Sequence, residues 1–373
     1  MSHRPGSSWS GALNRLFASR KFQKWAASVP FVRGFVRRDG EAMFDLVAGF
    51  CHSQVLMALV EFDILDQLME QEASVEALAL RSNVPADRMR VLLRAGVALK
   101  LLVLRRNGDC ALSRKGAALT GVPGLGEMIR HHRVFYRDLQ DPVAFFREGG
   151  KTELAAFWPY VFGAAQAEDP DIAATYSDLM AQSQALVADD TLRAVSLKPV
   201  KRLMDVGGGT GAFLTAAAQA WPHLDLCLFD LPAVVSGAEE RFSSESIRGR
   251  VEILPGSFRD DPIPTGADMI SLVRVLYDHS DSTVLDLLRA VYTALPPGGQ
   301  LLVSEPMTGG DQPERAGDAY FALYTMAMGT GRTRSAREIE ALCVQAGFEN
   351  LRHYPAPRPF VTRVLTARRP NSN

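Results

Sequence analysis

A glycine-rich turn and the acidic residue that follows it are the residues whose types and spacing most directly suggest binding chemistry. The segment LMDVGGGTGAFL places Gly207, Gly209 and Gly211 where an apolar run gives way to a helical pattern. Glycine has no Cβ, so a turn built from it can approach a ligand closely. Asp230 ends the next apolar run, nineteen residues after Gly211, where its carboxylate can accept hydrogen bonds from two ribose hydroxyls. These residues predict a site for a ribose-containing cofactor.

Two details of this turn favour S-adenosylmethionine over a dinucleotide. Asp205 stands just before the glycines, where its carboxylate would repel a pyrophosphate but could help to hold an ammonium group. The turn reads G-G-G-T-G and lacks the G-x-G-x-x-G spacing of dinucleotide sites. A loop that only turns tightly, with no ligand, is the simpler alternative.

The elements that must position these residues lie in 201–373, where short apolar runs alternate with helical segments. The runs RLMDVG, DLCLFDL, VEILPG, MISLVRVL and GQLLVSEP are each bounded by Gly, Pro or Asp. This alternation predicts an α/β domain with a parallel, helix-covered sheet. The last two runs, NLRHYPA and FVTRVLTARR, are close in sequence and could pair antiparallel at one edge.

Residues 41–120 read as a series of helices followed by a hairpin. Ser74 is a plausible N-cap, and Pro85 precedes a further short helix. The pair Asn107-Gly108 lies between two apolar runs, which is a strong hairpin signal. Helices followed by a hairpin form a winged-helix arrangement.

A winged helix can bind DNA or can serve as a dimerisation module. Arg88, Arg90 and Arg94 on the second helix could face phosphates. The remaining chain, however, has the pattern of a complete catalytic domain. We therefore favour dimerisation and expect no nucleic-acid partner.

Residues 121–200 are helical in pattern and rich in aromatic residues, as in VFYRDL, VAFFREGG and AAFWPYVFGAA. Aromatic residues at helical spacing more often belong to a core than to a ligand pocket. Their density here is high enough that an apolar substrate pocket is a second interpretation. We treat this segment as a helical linker and substrate-pocket region. His131 and His132 lie on a helix that could line the pocket, and no histidine has the spacing of a metal site.

Composition places the chain among globular proteins of two domains. Its 373 residues carry a formal net charge of −1, which gives no global sign of a nucleic-acid partner. The four cysteines form no CxxC pair, which is typical of reduced thiols in the cytoplasm. The start has no apolar signal region, and no apolar run approaches the ~20 residues that span a bilayer.

The N-terminal extension, residues 1–40, is basic. No acidic residue precedes Asp39, while aromatic and leucine side chains alternate with arginine and lysine in ALNRLFASRKFQKWAASVPFVRGFVRR. This composition suits a segment that lies on an anionic membrane surface, and we predict peripheral membrane contact through residues 1–38. The alternative is that the segment packs on the partner subunit of a dimer.

The ordered motifs LMDVGGGTGAF, LCLFDLPAVV, LPGSF, RVLYDHSD, ALPPGGQLLVSEP and GTGRTRSAREIEALCVQAGF resemble those of a known family. They are similar to the methoxyflavonoid/hydroxyindole class of S-adenosylmethionine-dependent O-methyltransferases, over roughly residues 41–370. The resemblance implies the class I methyltransferase sheet, of Rossmann-like topology, preceded by a winged-helix dimerisation domain. It also implies an intertwined homodimer.

Matched position by position, the resemblance implies cofactor contacts at Gly207, Asp230, Leu231, Ser257 and Phe258. With Asp205, Gly209 and Arg274 they make up the predicted cofactor-binding residues. Ser257 and Phe258 would lie near the adenine. Ser257 stands where the family usually has an aspartate, so we expect a weaker adenine contact there.

The stretch RVLYDHSD departs from the family's catalytic apparatus. Plant-type members place a proton-accepting histidine where this chain has Tyr277, oriented by two glutamates, of which Glu305 matches one and Gly331 replaces the other. Tyr277 could hold the substrate hydroxyl by a hydrogen bond or could pack beneath the cofactor. His279 could accept the proton if it turns inward, but we favour a solvent-facing position at the start of a helix.

Within the family, the YDH variant, the basic extension and the missing glutamate resemble members that methylate the tertiary hydroxyl of an acyclic carotenoid in a photosynthetic pathway. The expected location is cytoplasmic, with peripheral contact on the inner or photosynthetic membrane. Two alternatives stay open. One is a methyltransferase of the same family acting on a phenolic polyketide or a bacteriochlorophyll precursor. The other is a winged-helix regulator that binds the cofactor without turnover.

Overall fold

A computed structural model of the chain describes residues 8–148, 152–157 and 183–371. The chain forms two compact units that divide between Ala118 and Leu119. Parts of the predicted substrate-pocket region, 149–151 and 158–182, lie outside the described residues, and so do residues 1–7 of the N-terminal extension. Most of the aromatic segment AAFWPYVFGAA is therefore not described.

The first unit is helical with one small hairpin. Its elements are α1 (Ser8–Ala18), α2 (Arg20–Ser28), α3 (Pro30–Glu61), α4 (Ile64–Glu70), α5 (Val75–Arg81), α6 (Ala86–Ala98), β1 (Leu102–Leu104), β2 (Cys110–Leu112) and the start of α7 (Arg114–Thr120). Ser74 caps α5 by accepting a hydrogen bond from the backbone N–H of Ala77. Gly108 takes a φ of +93° in the turn between β1 and β2, which pair antiparallel. The predicted helices and hairpin are confirmed.

The helix α3 runs without interruption from the basic extension into the next segment, so the predicted bound at residue 40 falls inside it. By length and composition alone, this helix could also cross a membrane. The sequence expectation that no stretch would meet this criterion is therefore corrected. The same test is passed by helices that bury an apolar face against protein.

The second unit contains the large sheet and its covering helices. Its helices are the end of α7, α8 (Leu125–Asp138), α9 (Pro142–Glu148), α10 (Glu153–Phe157), α11 (183–194), α12 (Ala212–Ala220), α13 (Pro232–Ser244), α14 (Asp281–Ala294), α15 (Ala322–Ala327) and α16 (Ala336–Gln345). Its strands are β3 (Arg202–Val206), β4 (Asp225–Asp230), β5 (Val251–Pro255), β6 (Met269–Val273), β7 (Gln300–Glu305), β8 (Glu349–Tyr354) and β9 (Arg363–Arg368). A π-helix, Arg315–Phe321, leads directly into α15.

The seven strands of this sheet are ordered β5-β4-β3-β6-β7-β9-β8. The first five are parallel, and β9 pairs antiparallel with both β7 and β8. All five residues of β6 are buried, as expected for a parallel strand that is covered by helices on both faces. The predicted fold, a parallel sheet with an antiparallel edge hairpin, is confirmed.

Candidate active site

The carboxyl ends of the parallel strands meet at one edge of the sheet and carry most of the candidate residues. Asp205 lies near the end of β3, Asp230 ends β4, Arg274 follows β6 and Glu305 ends β7. In open α/β sheets, ligands bind at this edge, where the strand order reverses. The topology therefore brings together residues that are far apart in sequence.

The glycine loop between β3 and α12 is shaped to admit a ligand. Gly207 has a φ of +71°, and a Cβ there would lie 2.9 Å from the Val275 side chain, so a larger residue would collide. Gly209 has a φ of +63°, and the place its Cβ would take has no atom within 4 Å. The loop thus presents bare backbone beside open space, which fits the cofactor predicted from the sequence.

Asp230, the residue predicted to hold the ribose, organises this loop. Its Oδ2 accepts the backbone N–H of Gly209, and its Oδ1 accepts that of Leu231, each at 2.7 Å. Burial raises the pKa of Asp230, and these two hydrogen bonds oppose the rise. The carboxylate therefore already has two protein partners, and it still has lone pairs to accept hydroxyl donors from a ligand.

Asp205 is fully buried beneath the loop. Its Oδ1 accepts a 2.6 Å hydrogen bond from the Ser271 hydroxyl, whereas its Oδ2 has no partner among the described residues. Burial raises its pKa to about 7. A Cβ at Gly208 would lie 2.4 Å from Oδ2, so the glycine is needed there to leave room for this oxygen. A cation at the loop would favour the ionised carboxylate, and the predicted ammonium contact stays a prediction.

Ser257 and Phe258 follow β5, on the side where the adenine was predicted. Ser257 donates its backbone N–H to Asp261 and its hydroxyl to Asp260, so it caps its own turn. Its side chain is therefore occupied within the protein, and the weak adenine contact expected from the sequence stays a prediction. Phe258 is half-buried and stands against the His279 ring at 5.3 Å, edge to face.

His279 does not face solvent, and the orientation favoured from the sequence is wrong. Only 7% of the residue is exposed. Arg259 donates a 3.1 Å hydrogen bond to its Nδ1, and burial together with Arg259 and Arg334 lowers the pKa of His279 to about 3. The ring is thus held neutral against Phe258 and is a weak proton acceptor. The helix start itself is confirmed, because Ser280 caps α14.

Tyr277 and Glu305 are adjacent, but Glu305 contacts the backbone of Tyr277 and does not orient its side chain as a catalytic base. Both are buried, and the backbone N–H of Tyr277 donates to Glu305 Oε2 at 3.2 Å. Burial raises the pKa of Glu305 to about 7 and moves that of Tyr277 well above its ordinary value. Glu305 therefore holds the 3-10 turn Leu276–Asp278 in place, while the Tyr277 hydroxyl stays protonated.

Arg334 is a positioning residue that the sequence reading missed. It is fully buried, and its guanidinium donates to the carbonyl oxygens of Leu276 and His279, each at 2.8 Å, and to Asp281 at 2.7 Å. It therefore fixes both ends of the YDH stretch. Its place in the family motif GTGRTRS was the one sequence signal for a role of Arg334. The spacing of residues along the chain does not show which carbonyl oxygens its guanidinium reaches.

Arg274, assigned to the cofactor from the sequence, contacts other side chains. Its φ of +58° lies in the left-handed region, which is uncommon for a residue other than glycine. Its guanidinium donates to the Ser183 hydroxyl at 2.7 Å and to the Tyr277 hydroxyl at 3.3 Å. Arg274 thus ties α11 to Tyr277, and cofactor contact by Arg274 stays a prediction.

Two tyrosine–histidine pairs adjoin this cluster. His131 Nε2 lies 2.8 Å from the Tyr324 hydroxyl, and His132 Nε2 lies 2.6 Å from the Tyr320 hydroxyl. The histidines were noted on their helix from the sequence, but their partners, nearly two hundred residues away, were not. Among the described residues, no group of histidine, cysteine and acidic side chains is arranged as a metal site.

Comparisons with known proteins agree with this geometry. Residues 136–349 match the family described as the O-methyltransferase domain, and residues 44–118 match the O-methyltransferase dimerisation domain. The chain is 54% identical to the demethylspheroidene O-methyltransferase of Cereibacter sphaeroides over 357 residues, 96% of this chain and 94% of that protein. Identity to the Rhodobacter capsulatus protein of the same name is 52%, over 95% and 88% of the two chains.

Among solved structures, human N-acetylserotonin methyltransferase in complex with S-adenosylmethionine is similar to this chain. The TM-score is 0.78 at 26% identity, over 89% of this chain and 98% of that one. The cofactor bound in that structure, S-adenosylmethionine, is the one that the glycine loop and Asp230 predict for this chain. The chain belongs to the O-methyltransferase family with an N-terminal dimerisation domain, and it is an S-adenosylmethionine-dependent O-methyltransferase.

Proposed function

We propose that this enzyme methylates the hydroxyl group of a hydroxylated acyclic carotenoid of the demethylspheroidene type. The observation that carries the proposal is the alignment of nearly the whole chain with two demethylspheroidene O-methyltransferases at more than 50% identity. The relatives that act on phenols or on acetylserotonin are far more distant, at about 30% identity.

The residues around Tyr277 suit a methyl acceptor whose hydroxyl group need not be deprotonated by a strong base. A tertiary alcohol is a much weaker acid than a phenol, so removing its proton before attack would cost too much energy. S-adenosylmethionine, when bound, supplies an activated methyl group that the hydroxyl oxygen takes. The protein then has to orient the hydroxyl and exclude water, and good orientation is worth about 7–11 kcal/mol.

Tyr277 is suited to orientation because its hydroxyl stays protonated and is held by Arg274. A protonated phenol hydroxyl can donate a hydrogen bond to an alcohol oxygen or accept one from an alcohol hydroxyl. We assign Tyr277 to positioning the acceptor oxygen, with Glu305 and Arg334 holding its backbone.

The test in cells is carotenoid analysis by mass spectrometry with and without this protein. We expect cells that lack it to accumulate the hydroxylated carotenoid and to lose the methoxylated product. A catalytically inactive full-length protein should leave that pattern unchanged, whereas the wild-type protein should reverse it. An unaltered carotenoid profile would contradict the proposal.

The dimerisation domain indicates a homodimer. The helices α1 and α2 lie outside that domain and are available for another role. Four large apolar side chains at the centre of α3, with exposures of 66–78%, fall inside the dimerisation match: Phe44, Leu46, Val47 and Phe50. A second copy of the chain would cover them. The helices α1 and α2 and the first half of α3 precede that match.

We further propose that these N-terminal helices bind an anionic membrane surface, from which the apolar substrate is taken. Phe17, Phe22 and Trp25 form an aromatic cluster with ring separations of 5.4 and 5.6 Å, and Phe17 and Trp25 are both more than half exposed. Exposed basic residues lie on the same three helices: Arg15, Arg20, Lys21, Lys24, Arg33, Arg37 and Arg38. Aromatic side chains in the headgroup layer with cations on anionic lipid give such binding, at about 1 kcal/mol per basic residue.

Liposome sedimentation tests this contact in the full-length protein. The double variant Lys21→Glu/Lys24→Glu should bind phosphatidylserine vesicles at least tenfold more weakly at low salt, and both proteins should release at high salt. The double variant Arg352→Glu/Arg368→Glu, at exposed positions of β8 and β9, is the matched control. Equal vesicle binding by all three proteins, with an unchanged dimer, would contradict membrane contact, and loss of the dimer would assign these helices to the partner subunit.

A further inference from the structure

The 3-10 turn Leu276–Asp278 ends in a carboxyl group that the positioning of the acceptor oxygen does not use. Asp278 Oδ1 is buried without a hydrogen-bond partner, and Oδ2 has none in the part of the chain that the structure describes. A buried polar atom without a partner costs free energy, so its presence in a folded protein needs an explanation. A ligand that donates a hydrogen bond to this carboxyl group would remove the cost.

The carboxyl group of Asp278 is also within reach of a ligand. Asp278 is partly exposed, whereas Tyr277 before it is only 2% exposed and His279 after it only 7%. The turn follows β6 directly, so Asp278 lies at the carboxyl edge of the parallel strands, where ligands bind in such sheets. A substrate at this edge can therefore meet the side chain of Asp278.

The backbone around Asp278 is held on both sides. The Thr330 hydroxyl donates to the carbonyl oxygen of Asp278 at 3.1 Å. Arg334 donates to one carbonyl oxygen before Asp278 and to one after it, each at 2.8 Å. Glu305 accepts the backbone N–H of Tyr277. These contacts fix the position of Asp278 next to the residue that we assign to the acceptor oxygen, and they leave its side chain unoccupied.

The other titratable groups of this turn are engaged or closed off. Glu305 also has an unpartnered oxygen, Oε1, but the residue is fully buried and its Oε2 holds the backbone of Tyr277. His279 Nδ1 accepts a hydrogen bond from Arg259, and the Tyr277 hydroxyl stays protonated. Of these four side chains, only that of Asp278 combines unoccupied acceptor oxygens with access to the site.

We propose that Asp278 is a catalytic residue that accepts the proton of the acceptor hydroxyl, in place of the family's histidine. The proposal rests on the proposed function and extends it to the proton. As the hydroxyl oxygen bonds to the methyl carbon, the bond from that carbon to sulfur breaks and its electron pair stays on sulfur. The O–H bond breaks with its electron pair left on the ether oxygen. The proton goes to a carboxyl oxygen of Asp278, which later releases it to water.

A carboxylate suits this reaction because opposite charges cancel in it. A sulfonium cation and a carboxylate become a neutral thioether and a neutral acid, whereas an imidazole acceptor would leave a buried cation, which is costly. Burial raises the pKa of the Asp278 carboxyl well above its ordinary value, with Arg274 opposing the rise and Glu305 adding to it. Asp278 thus holds a proton more tightly than an exposed carboxylate does, while a nearby sulfonium favours its ionised form before transfer.

The first test is calorimetry with the cofactor alone and needs no methyl acceptor. A carboxylate that reaches the acceptor oxygen also lies close to the sulfonium with which that oxygen reacts. Asp278→Asn should therefore weaken binding of S-adenosylmethionine about fivefold more than binding of S-adenosylhomocysteine, whose sulfur is neutral. Asp286→Asn, at an exposed position of α14, is the matched control and should leave both dissociation constants unchanged. An unchanged ratio of the two constants in Asp278→Asn would overturn the proposal.

The second test is turnover and its rescue by a small carboxylate. Asp278→Asn should lower kcat about a hundredfold, at the lower end of general-base losses, with KM changed less than about fivefold. Asp278→Ala should gain at least about tenfold in turnover when sodium formate is added, because formate can occupy the vacated space and take the proton. Sodium chloride at the same ionic strength should restore nothing. Neither salt should stimulate Asp286→Asn or Tyr277→Phe.

A purely structural role of Asp278 would lower turnover in both variants without a response to formate, and that result would overturn the proposal. So would a kcat in Asp278→Asn within about fivefold of the wild type, since general-base removal costs far more. If the wild-type protein does not methylate the carotenoid, the proposed function fails, and the calorimetry with the two cofactor forms still decides the role of Asp278.

Discussion

The backbone N–H of Tyr277 donates to Oε2 of Glu305, and this bond shows how the family's apparatus has been reused. A glutamate that orients a catalytic histidine in plant-type relatives here supports the backbone of a tyrosine. The other oxygen of Glu305 has no partner among the described residues. The carboxyl group is therefore structural and carries an energetic cost when it ionises.

The first prediction concerns the pH dependence of stability in Glu305→Gln. Burial raises the pKa of Glu305 from 4.5 to about 7, so the folded state binds its proton more tightly than the unfolded state does. Stability is therefore lost as pH rises from about 4.5 through 7. The glutamine removes this loss, and relative to the wild type the variant should gain about 2–3 kcal/mol between pH 5 and pH 8.

Urea denaturation at the two pH values measures this gain. Glu349→Gln, on the exposed edge strand, is the control and should differ from the wild type equally at both. A constant difference for Glu305→Gln would mean that Glu305 does not titrate in this range.

The second prediction concerns Asp230, which holds Gly209 and Leu231 and is the residue predicted to accept the ribose hydroxyls. Asp230→Ala should weaken S-adenosylmethionine binding by at least a factor of ten, about the worth of one hydrogen bond to a charged group. Isothermal titration calorimetry measures the change. Asp225→Ala, at the opposite and exposed end of the same strand, is the control. An unchanged dissociation constant in Asp230→Ala would refute the assignment of this loop.

The third prediction separates Tyr277 from His279. Tyr277→Phe removes the hydroxyl that orients the acceptor and should lower turnover about tenfold, with KM also affected. His279→Ala should lower turnover less than about fivefold, because its ring is neutral and contacts Phe258 and Arg259. A loss beyond a hundredfold in His279→Ala with intact cofactor affinity, as general-base removal produces, would contradict this assignment.

The fourth prediction concerns Gly331, where plant-type relatives have the second glutamate. A Cβ at this position would lie 2.7 Å from the carbonyl oxygen of Tyr277 and 3.0 Å from Cβ of Thr325. Gly331→Ala should therefore destabilise the protein by about 1–3 kcal/mol. Gly249→Ala, where no atom lies within 4 Å, is the matched control in thermal unfolding. Equal melting temperatures would show that the turn yields freely.

The same collision means that Tyr277→His/Gly331→Glu should not regenerate a plant-type base. The glutamate side chain cannot enter without moving the backbone of residue 277. A double variant that gains activity on a phenolic acceptor would show that the turn adjusts more than these distances allow.

The loop was predictable from the sequence, whereas the proton chemistry was not. Gly207 and Gly209 follow β3, and Asp230 ends β4, the next strand along the chain. Because these two strands pair in parallel, the sequence positions alone indicate that the three residues lie close together. The orientation of His279 depends on Phe258 and Arg259, which arrive from a different strand, and local capping signals pointed the wrong way. The contact of His131 with Tyr324 joins residues 193 positions apart through the packing of two helices, and no periodicity encodes it.

The most direct test of the central claim is methyl transfer by the purified full-length protein with methyl-labelled S-adenosylmethionine. We predict that demethylspheroidene, presented in anionic liposomes, acquires the label as a methoxy group on its hydroxyl oxygen. The same carotenoid without its hydroxyl group should acquire none. Label that appears on the phenol 3-hydroxy-5-methyl-1-naphthoate but never on the carotenoid, or on neither compound, would contradict the account.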